Sequence, residues 1–204
     1  MPDTPLTCLL ADGSCADLYR PDLLDKQDAL RLQARPALAQ RADWRVSRYL
    51  RQQAVSPVRS LSHSKGMAAV LCGGAGLAAG VDIEYIRPRE FASLAEWVAQ
   101  PHEQMELAAR GWQADDFYEL WTLKEALLKA GGLGFPEAMK AVGRQPGAGG
   151  KTGLHVQGRG GWRGVTYKID RHFMLACVWL GEGELELRLE GGFEADVVRV
   201  GKYD

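Results

Sequence analysis

Gly80-Val81-Asp82-Ile83-Glu84 is the stretch on which the reading of this chain turns. Side chains of a strand alternate between faces, so Asp82 and Glu84 share one face while Val81 and Ile83 point into a core. Two carboxylates held side by side repel each other unless a cation sits between them. Hard oxygen ligands at that spacing suit Mg²⁺, which takes one or two carboxylates together with waters and substrate phosphates. An edge strand with a solvated acidic face satisfies the same pattern, and these five residues alone leave both readings open.

Downstream, periodicity predicts helices over Phe91–Arg110 and Asp115–Ala130, the second stopped by Gly131-Gly132. On the second, Trp121, Glu125 and Lys129 follow one another at i, i+4 and i+8 and form one stripe, with Lys124 beside it. Leu120, Leu123, Ala126, Leu127 and Ala130 make the apolar side. A Glu-to-Lys pair one turn apart is also plain helix stabilisation, worth roughly 0.2–0.5 kcal/mol. That reading leaves the tryptophan on the polar stripe unexplained.

Upstream, the strand extends over Leu77–Tyr85 and is preceded by Ser60–His63 and Ala68–Cys72, joined by turns at Lys65-Gly66 and Gly73-Gly74. Leu6–Leu10 reads as a strand ending in an Asp12-Gly13 turn. Two helices are predicted over Asp22–Ala34 and Ala37–Gln53, separated at Pro36. Arg41, Arg45, Arg48 and Arg51 lie along one side of the second, a pattern that a solvated face also explains. After the Gly- and Pro-rich stretch Gly143–Gly150, alternation returns in His155–Val156, Gly164–Asp170 and Phe173–Leu180, as in a closing antiparallel sheet. His63 to Gly73 and His172 to Gly181 both set an apolar strand between a His and a Gly. Two lobes of similar build, 1–79 and 80–204, would produce that echo.

The 204 residues, 46% hydrophobic and 25% charged, can bury a core as one domain or two small lobes, which excludes a disordered chain. Lys plus Arg (25) against Asp plus Glu (26) gives a net charge of −1, which argues against holding nucleic acid by bulk phosphate attraction. The longest apolar stretch, Met67 to Val81, is broken by glycines and falls short of the roughly 20 residues of a membrane helix. The N-terminal residues carry no secretory pattern, so the cytoplasm is the expected location. Cys8, Cys15, Cys72 and Cys177 lack C-x-x-C spacing and read as core or loop residues, not as a zinc or redox site. Gly150-Lys151-Thr152 has the ending of a phosphate-binding P-loop. The position that demands the first glycine is Gln145, so it reads as a loop.

Gly80-x-Asp82-x-Glu84, followed by Trp121-x-x-Lys124-Glu125-Ala126-x-x-Lys129 and preceded by Ser62-His63-Ser64, resembles the signature of the 4′-phosphopantetheinyl transferases. The layout is similar to the larger, two-lobed, surfactin-synthetase-activating branch. The resemblance implies an α+β fold of two pseudo-twofold α/β lobes with the active site between them. It further implies coenzyme A as co-substrate, Mg²⁺ on its pyrophosphate, and an apo acyl or peptidyl carrier protein as acceptor. Phosphopantetheine would pass to a carrier serine, releasing adenosine 3′,5′-bisphosphate.

By the same resemblance Asp82, Glu84 and Glu125 hold the metal, and Glu125, Lys129 and His63 act in catalysis. Lys129 and His63 face the phosphates, with Ser62 alongside and Lys124 adding charge. Arg48, Arg45 and Arg41 are candidates for the ribose 3′-phosphate. A Gly-Lys-Pro segment that lies along the adenine in that branch is replaced here by Gln53 to Arg59, leaving Arg59 and the Pro57 backbone as substitutes. No nucleic acid, no membrane and a monomer are expected. The competing readings are a non-catalytic carrier-binding module of the same fold and an unrelated Mg²⁺-dependent phosphotransferase, the latter disfavoured by the lack of a true P-loop or kinase motifs.

Overall fold

The computed structural model describes residues 5–146 and 152–204. The chain mixes helices with two β-sheets and divides into two compact units, 1–75 with 183–195 and 76–182 with 196–204. The lobes expected from the sequence place everything after residue 79 in the second. Residues 183–195 belong instead to the first unit, because the short strand Leu185–Leu189 pairs in parallel with Leu6–Ala11.

In the first unit, β1 (Leu6–Ala11) is followed by α1 (Lys26–Ala34), α2 (Ala42–Gln53), β2 (Val58–Ser64) and β3 (Met67–Cys72). The sheet order is β2-β3-β1 and then β9 (Leu185–Leu189). Helix α1 starts later than the pattern suggested, since Asp25 caps it by accepting from the Asp28 amide at 2.8 Å. Pro36 opens a short 3₁₀ turn, and α2 begins only at Ala42. Val46 and Leu50 of α2 pack on Leu9, Val70 and Cys72 of the sheet.

The second unit carries β4 (Ala79–Tyr85), α3 (Phe91–Val98), α4 (Pro101–Ala109), α5 (Ala114–Gly131), β5 (Val142–Pro146), β6 (Thr152–Val156), β7 (Arg159–Ile169), β8 (Phe173–Leu180) and β10 (Val197–Tyr203). Its strands run β4-β8-β7-β6-β5, and β10 also pairs with β7. The helix expected over 91–110 is two helices. Pro101 stands at the first turn of α4, where a missing N–H is harmless, and Gln100 with Glu103 forms a reciprocal capping box. Helix α5 ends at Gly132, whose φ of +64° suits a residue without Cβ. Part of the expected loop at 143–150 is strand β5, and the rest of it, with Gly150 and Lys151 of the rejected P-loop, lies outside the described residues.

One contact sets the site. A Cβ on Gly80 would stand 1.9 Å from the Ala126 carbonyl oxygen and 3.0 Å from the Ala130 amide, so only glycine lets α5 lie this close to β4. Leu120, Leu123, Ala126 and Leu127 of α5 form a common core with Met174, Ala176 and Val178 of β8. All four cysteines are buried. Among the described residues no helix is long and apolar enough to cross a membrane.

Candidate functional site

In register with β8, Asp82 opposes Ala176 and Glu84 opposes Met174, while Val81 and Ile83 are fully buried, as alternation requires. The close approach at Gly80 delivers Glu125 from α5 to the same place. One carboxylate oxygen from each of Asp82, Glu84 and Glu125 lies within 4.8 Å of the others. The Asp82 side chain is only 2% exposed, which rules out a freely solvated acidic face. Lys129 Nζ donates to Asp82 Oδ1 at 2.8 Å and to the Val81 carbonyl at 3.0 Å.

Three acids and one lysine leave the cluster short of positive charge. Burial, and then the charge of Asp82, push the Glu125 carboxyl up to about 7, against the pull of Lys129, with Glu84 adding to the rise and a hydrogen bond from Trp121 opposing it. The donor set is hard oxygen throughout. Around Mg²⁺, with oxygens at about 2.0–2.1 Å, adjacent ligands stand about 3 Å apart and opposite ones about 4 Å apart. The three oxygens, all within 4.8 Å of one another, lie near that spacing, and a dication would offset the Asp82 and Glu84 charges that help raise Glu125. The residues present therefore fit Mg²⁺.

Lys124 does not join them. It is fully buried, with Nζ 2.8 Å from Glu103 Oε2 and donating to the carbonyls of Met139 at 3.0 Å and Val142 at 2.5 Å. The Glu103 carboxylate also accepts from the Gln100 and Arg144 amides. Burial lowers the Lys124 pKa and Glu103 opposes the shift. The expected charge beside the phosphates is thus corrected: Lys124 lies on the buried side of α5 and ties α4 and β5 to it. Gly143 passes so near that a Cβ there would meet Glu103 Oε1 at 2.3 Å and Lys124 Nζ at 2.7 Å.

The first unit supplies a basic cavity. About 550 Å³ in volume, it is lined by Arg31, Ala34, Arg35, Leu38, Arg41, Trp44, Arg48, Leu61 and His63. Arg48 is engaged within the fold: Nε and Nη2 bind the two oxygens of buried Asp28 at 2.9 and 2.8 Å, Nη1 donates to Ser47 Oγ, and the guanidinium lies 3.6 Å over the Trp44 ring. Burial by itself would raise the Asp28 pKa. The hydrogen bonds and charge of Arg48, with Arg51 and Arg31, outweigh it and hold that carboxyl below its ordinary range.

The rest of the stripe is paired as well. Arg41 binds Asp43 in bidentate fashion at 3.0 and 2.6 Å, Arg45 binds Asp17 at 2.6 Å outside this cavity, and Arg51 binds Asp25 and Asp28. His63 Nδ1 is 3.4 Å from Asp43, and its pKa is lowered chiefly by burial, with Asp43 opposing. Arg59 is half-buried on β2 and Ser62 is buried there. Sequence reasoning missed Arg31 and Arg35. Their one-turn spacing just ahead of Pro36 was the available signal. Among the described residues Arg35 has no ion-pair partner.

The geometry has counterparts among known proteins. Residues 78–172, which contain Asp82, Glu84, Glu125 and Lys129, match the family model of the 4′-phosphopantetheinyl transferase superfamily. Over 128 residues the chain is 35% identical to the 4′-phosphopantetheinyl transferase AcpT of Salmonella typhimurium, and equally to that of Salmonella typhi. The match covers 52% of this chain and 66% of each relative, just under two thirds of their length.

Proposed function

We propose that the chain, whose residues 78–172 match the family model of the 4′-phosphopantetheinyl transferase superfamily, moves the 4′-phosphopantetheine of coenzyme A onto a serine hydroxyl of an apo acyl or peptidyl carrier protein. The observation that carries this reading is the convergence of Asp82, Glu84, Glu125 and Lys129 at the Gly80 contact. Asp82, Glu84 and Glu125 would hold Mg²⁺, which when bound supplies charge neutralisation for a pyrophosphate.

The chain's own groups divide the remaining work. A Glu125 carboxylate oxygen takes the proton of the carrier serine as its Oγ bonds to the phosphorus that bears the pantetheine. The bond from that phosphorus to the bridging oxygen breaks, and adenosine 3′,5′-bisphosphate leaves with the electron pair. Lys129 Nζ offsets the charge gathering on the leaving group. Displacement at phosphorus asks mainly for position and neutralisation, and this cluster offers both.

In the first unit, Arg35, Arg31, Arg41 and His63 are the groups for the ribose 3′-phosphate, with Leu38 and Leu61 as apolar wall for the adenosine. Arg48 shapes this cavity through Asp28. Incubation with coenzyme A, Mg²⁺ and a panel of apo carrier proteins tests the reading by intact mass. A carrier heavier by one phosphopantetheine is the expected result. No mass gain on any carrier, with coenzyme A bound or not, would overturn it.

A further inference from the structure

The second unit carries a cavity that the acid cluster does not use. It measures about 410 Å³, and none of Asp82, Glu84, Glu125 and Lys129 lines it. Small residues leave the room: Ala78 just before β4, Ala130 and Gly131 at the end of α5, and Gly160 on β7, where an added Cβ would meet nothing within 4 Å. The pairing of β6 with β7 is irregular between Leu154 and Val156, so no regular ladder closes this end of the sheet. Val156 and Trp162, 8% and 6% exposed, make the apolar wall with the 43% exposed Leu180, which stands opposite Trp162 in the register of β7 with β8. Gln157 and Arg159 are the polar residues of the lining. Both are exposed, and among the described residues the Arg159 guanidinium has no ion-pair partner.

We propose that this cavity is a binding site for a small amphipathic monocarboxylate, its apolar body against Val156, Trp162 and Leu180 and its carboxylate on Arg159. The inference goes beyond the transferase reading and holds whether or not the chain transfers phosphopantetheine. Small-molecule sites run from about 300 to 1,000 Å³ and are mostly apolar with a few placed polar groups; this cavity has that size and that make-up. Its charge selects the ligand. A guanidinium offers two parallel N–H donors that match the two oxygens of a carboxylate. One cation neutralises a single negative charge, whereas the basic cavity of the first unit, with Arg31, Arg35 and Arg41 in its lining, is charged for a phosphate. The Trp162 indole and its aliphatic neighbours offer contact area to an alkyl or aryl body that a bare inorganic anion cannot use.

Calorimetric titration of the full chain with sodium octanoate, without coenzyme A or Mg²⁺, tests this, with octanamide as the uncharged probe of the same shape. Octanoate should bind with a Kd of about 1 mM or tighter, within reach of a ligand of its size. Arg159→Gln, at an exposed position, should weaken octanoate roughly tenfold or more and leave octanamide unchanged. Leu180→Ala should weaken both probes by a similar factor. In heteronuclear NMR spectra the indole N–H signal of Trp162, identified with Trp162→Phe, should shift as octanoate is added and saturate with the same Kd. No saturable binding up to about 10 mM overturns the proposal. So does an octanoate affinity that survives Arg159→Gln, or one that falls in Arg35→Ala instead, which would give the carboxylate to the first unit. Coenzyme A is the decisive competitor: displacement of octanoate would assign the cavity to the pantetheine arm and overturn the proposal, while binding of both together supports a separate site. No arm involves transfer, so the result stands apart from the transferase reading.

Discussion

Substituting Gly80 by alanine should damage stability and the acid cluster together, because both depend on how close α5 lies to β4. The added Cβ would sit 1.9 Å from the Ala126 carbonyl oxygen, and to reach even 3.0 Å the helix must retreat by about 1.1 Å. Both partners are backbone, so no rotamer change relieves the clash, and the cost should lie at or above the upper end of the roughly 1–3 kcal/mol seen for overpacked cores. For a chain of this size, about 3 kcal/mol is a fall in Tm of roughly 6–12 °C.

The retreat also draws Glu125 away from Asp82 and Glu84. Misplacement by about 1 Å at a reacting centre can cost about a hundredfold in rate, and Mg²⁺ tolerates little departure from octahedral geometry. Thermal unfolding and transfer measured across a Mg²⁺ titration report the two effects. Gly13→Ala is the control, since a Cβ there meets nothing within 4 Å. If Gly80→Ala holds its stability within about 0.5 kcal/mol, the scale of an ordinary neutral surface change, and keeps its Mg²⁺ response, then the close approach does not set the site and the reasoning fails.

Arg48→Ala should cost about 3 kcal/mol, the lower end for breaking a buried pair because Arg51 and Arg31 still reach Asp28, and it should weaken coenzyme A and 3′-dephospho-coenzyme A alike. Calorimetry with both ligands reads this, and Arg35→Ala should instead discriminate between them. Lys129→Met should lower turnover far more than coenzyme A affinity, with no rescue by added Mg²⁺, whereas Glu125→Gln should recover part of its activity as Mg²⁺ is raised; equal rescue in steady-state assays would refute that division. Without metal, folded Glu125 keeps its proton to about pH 7 while the unfolded chain loses it near 4.5, so folding stability should fall as pH rises through that window. Urea unfolding from pH 4 to 8 should show this slope, Glu125→Gln should flatten it, and Mg²⁺ should reverse it with release of a proton. Lys124→Met, by stranding the Glu103 carboxylate, should cost about 3–5 kcal/mol, while Lys124→Met with Glu103→Leu should cost much less; denaturant titrations decide.

The strand over 79–85 and the long helix ending at Gly131 were legible because each repeats its own period over several turns or pleats; the pairing of Asp82 with Glu84 followed from the strand's period, and Glu125 was joined to them only through the family resemblance. Where the sequence misled, long-range contacts were responsible. Leu185–Leu189 alternates apolar and charged residues as a strand does, but its parallel partner β1 lies at the other end of the chain and no local pattern reveals it. Val197–Tyr203 is likewise held from outside, by pairing with β7 and by the Tyr203 hydroxyl donating to Glu119 Oε1 at 2.9 Å. The arginine stripe of α2 was visible, but its aspartate partners at 17, 25 and 28 lie up to 28 residues away and had no register to the helix in the sequence.

The two lysines of the helix show why the site was read more fully than it is built. At about 100° per residue, Lys129 stands about 40° from Glu125 around α5, while Lys124 stands about 100° away in the opposite sense. One stripe therefore cannot hold both. A lysine turned toward a core is normally disallowed by desolvation, which made the polar side the natural place for it in the sequence. What permits the buried position is Glu103, set on α4 by a capping box that only the break at Pro101 creates. The same break ends α3 just after the half-exposed Trp97. A single proline thus bears on two helices: it starts α4 where Glu103 can anchor the buried lysine, and it bounds α3, which carries the half-exposed Trp97.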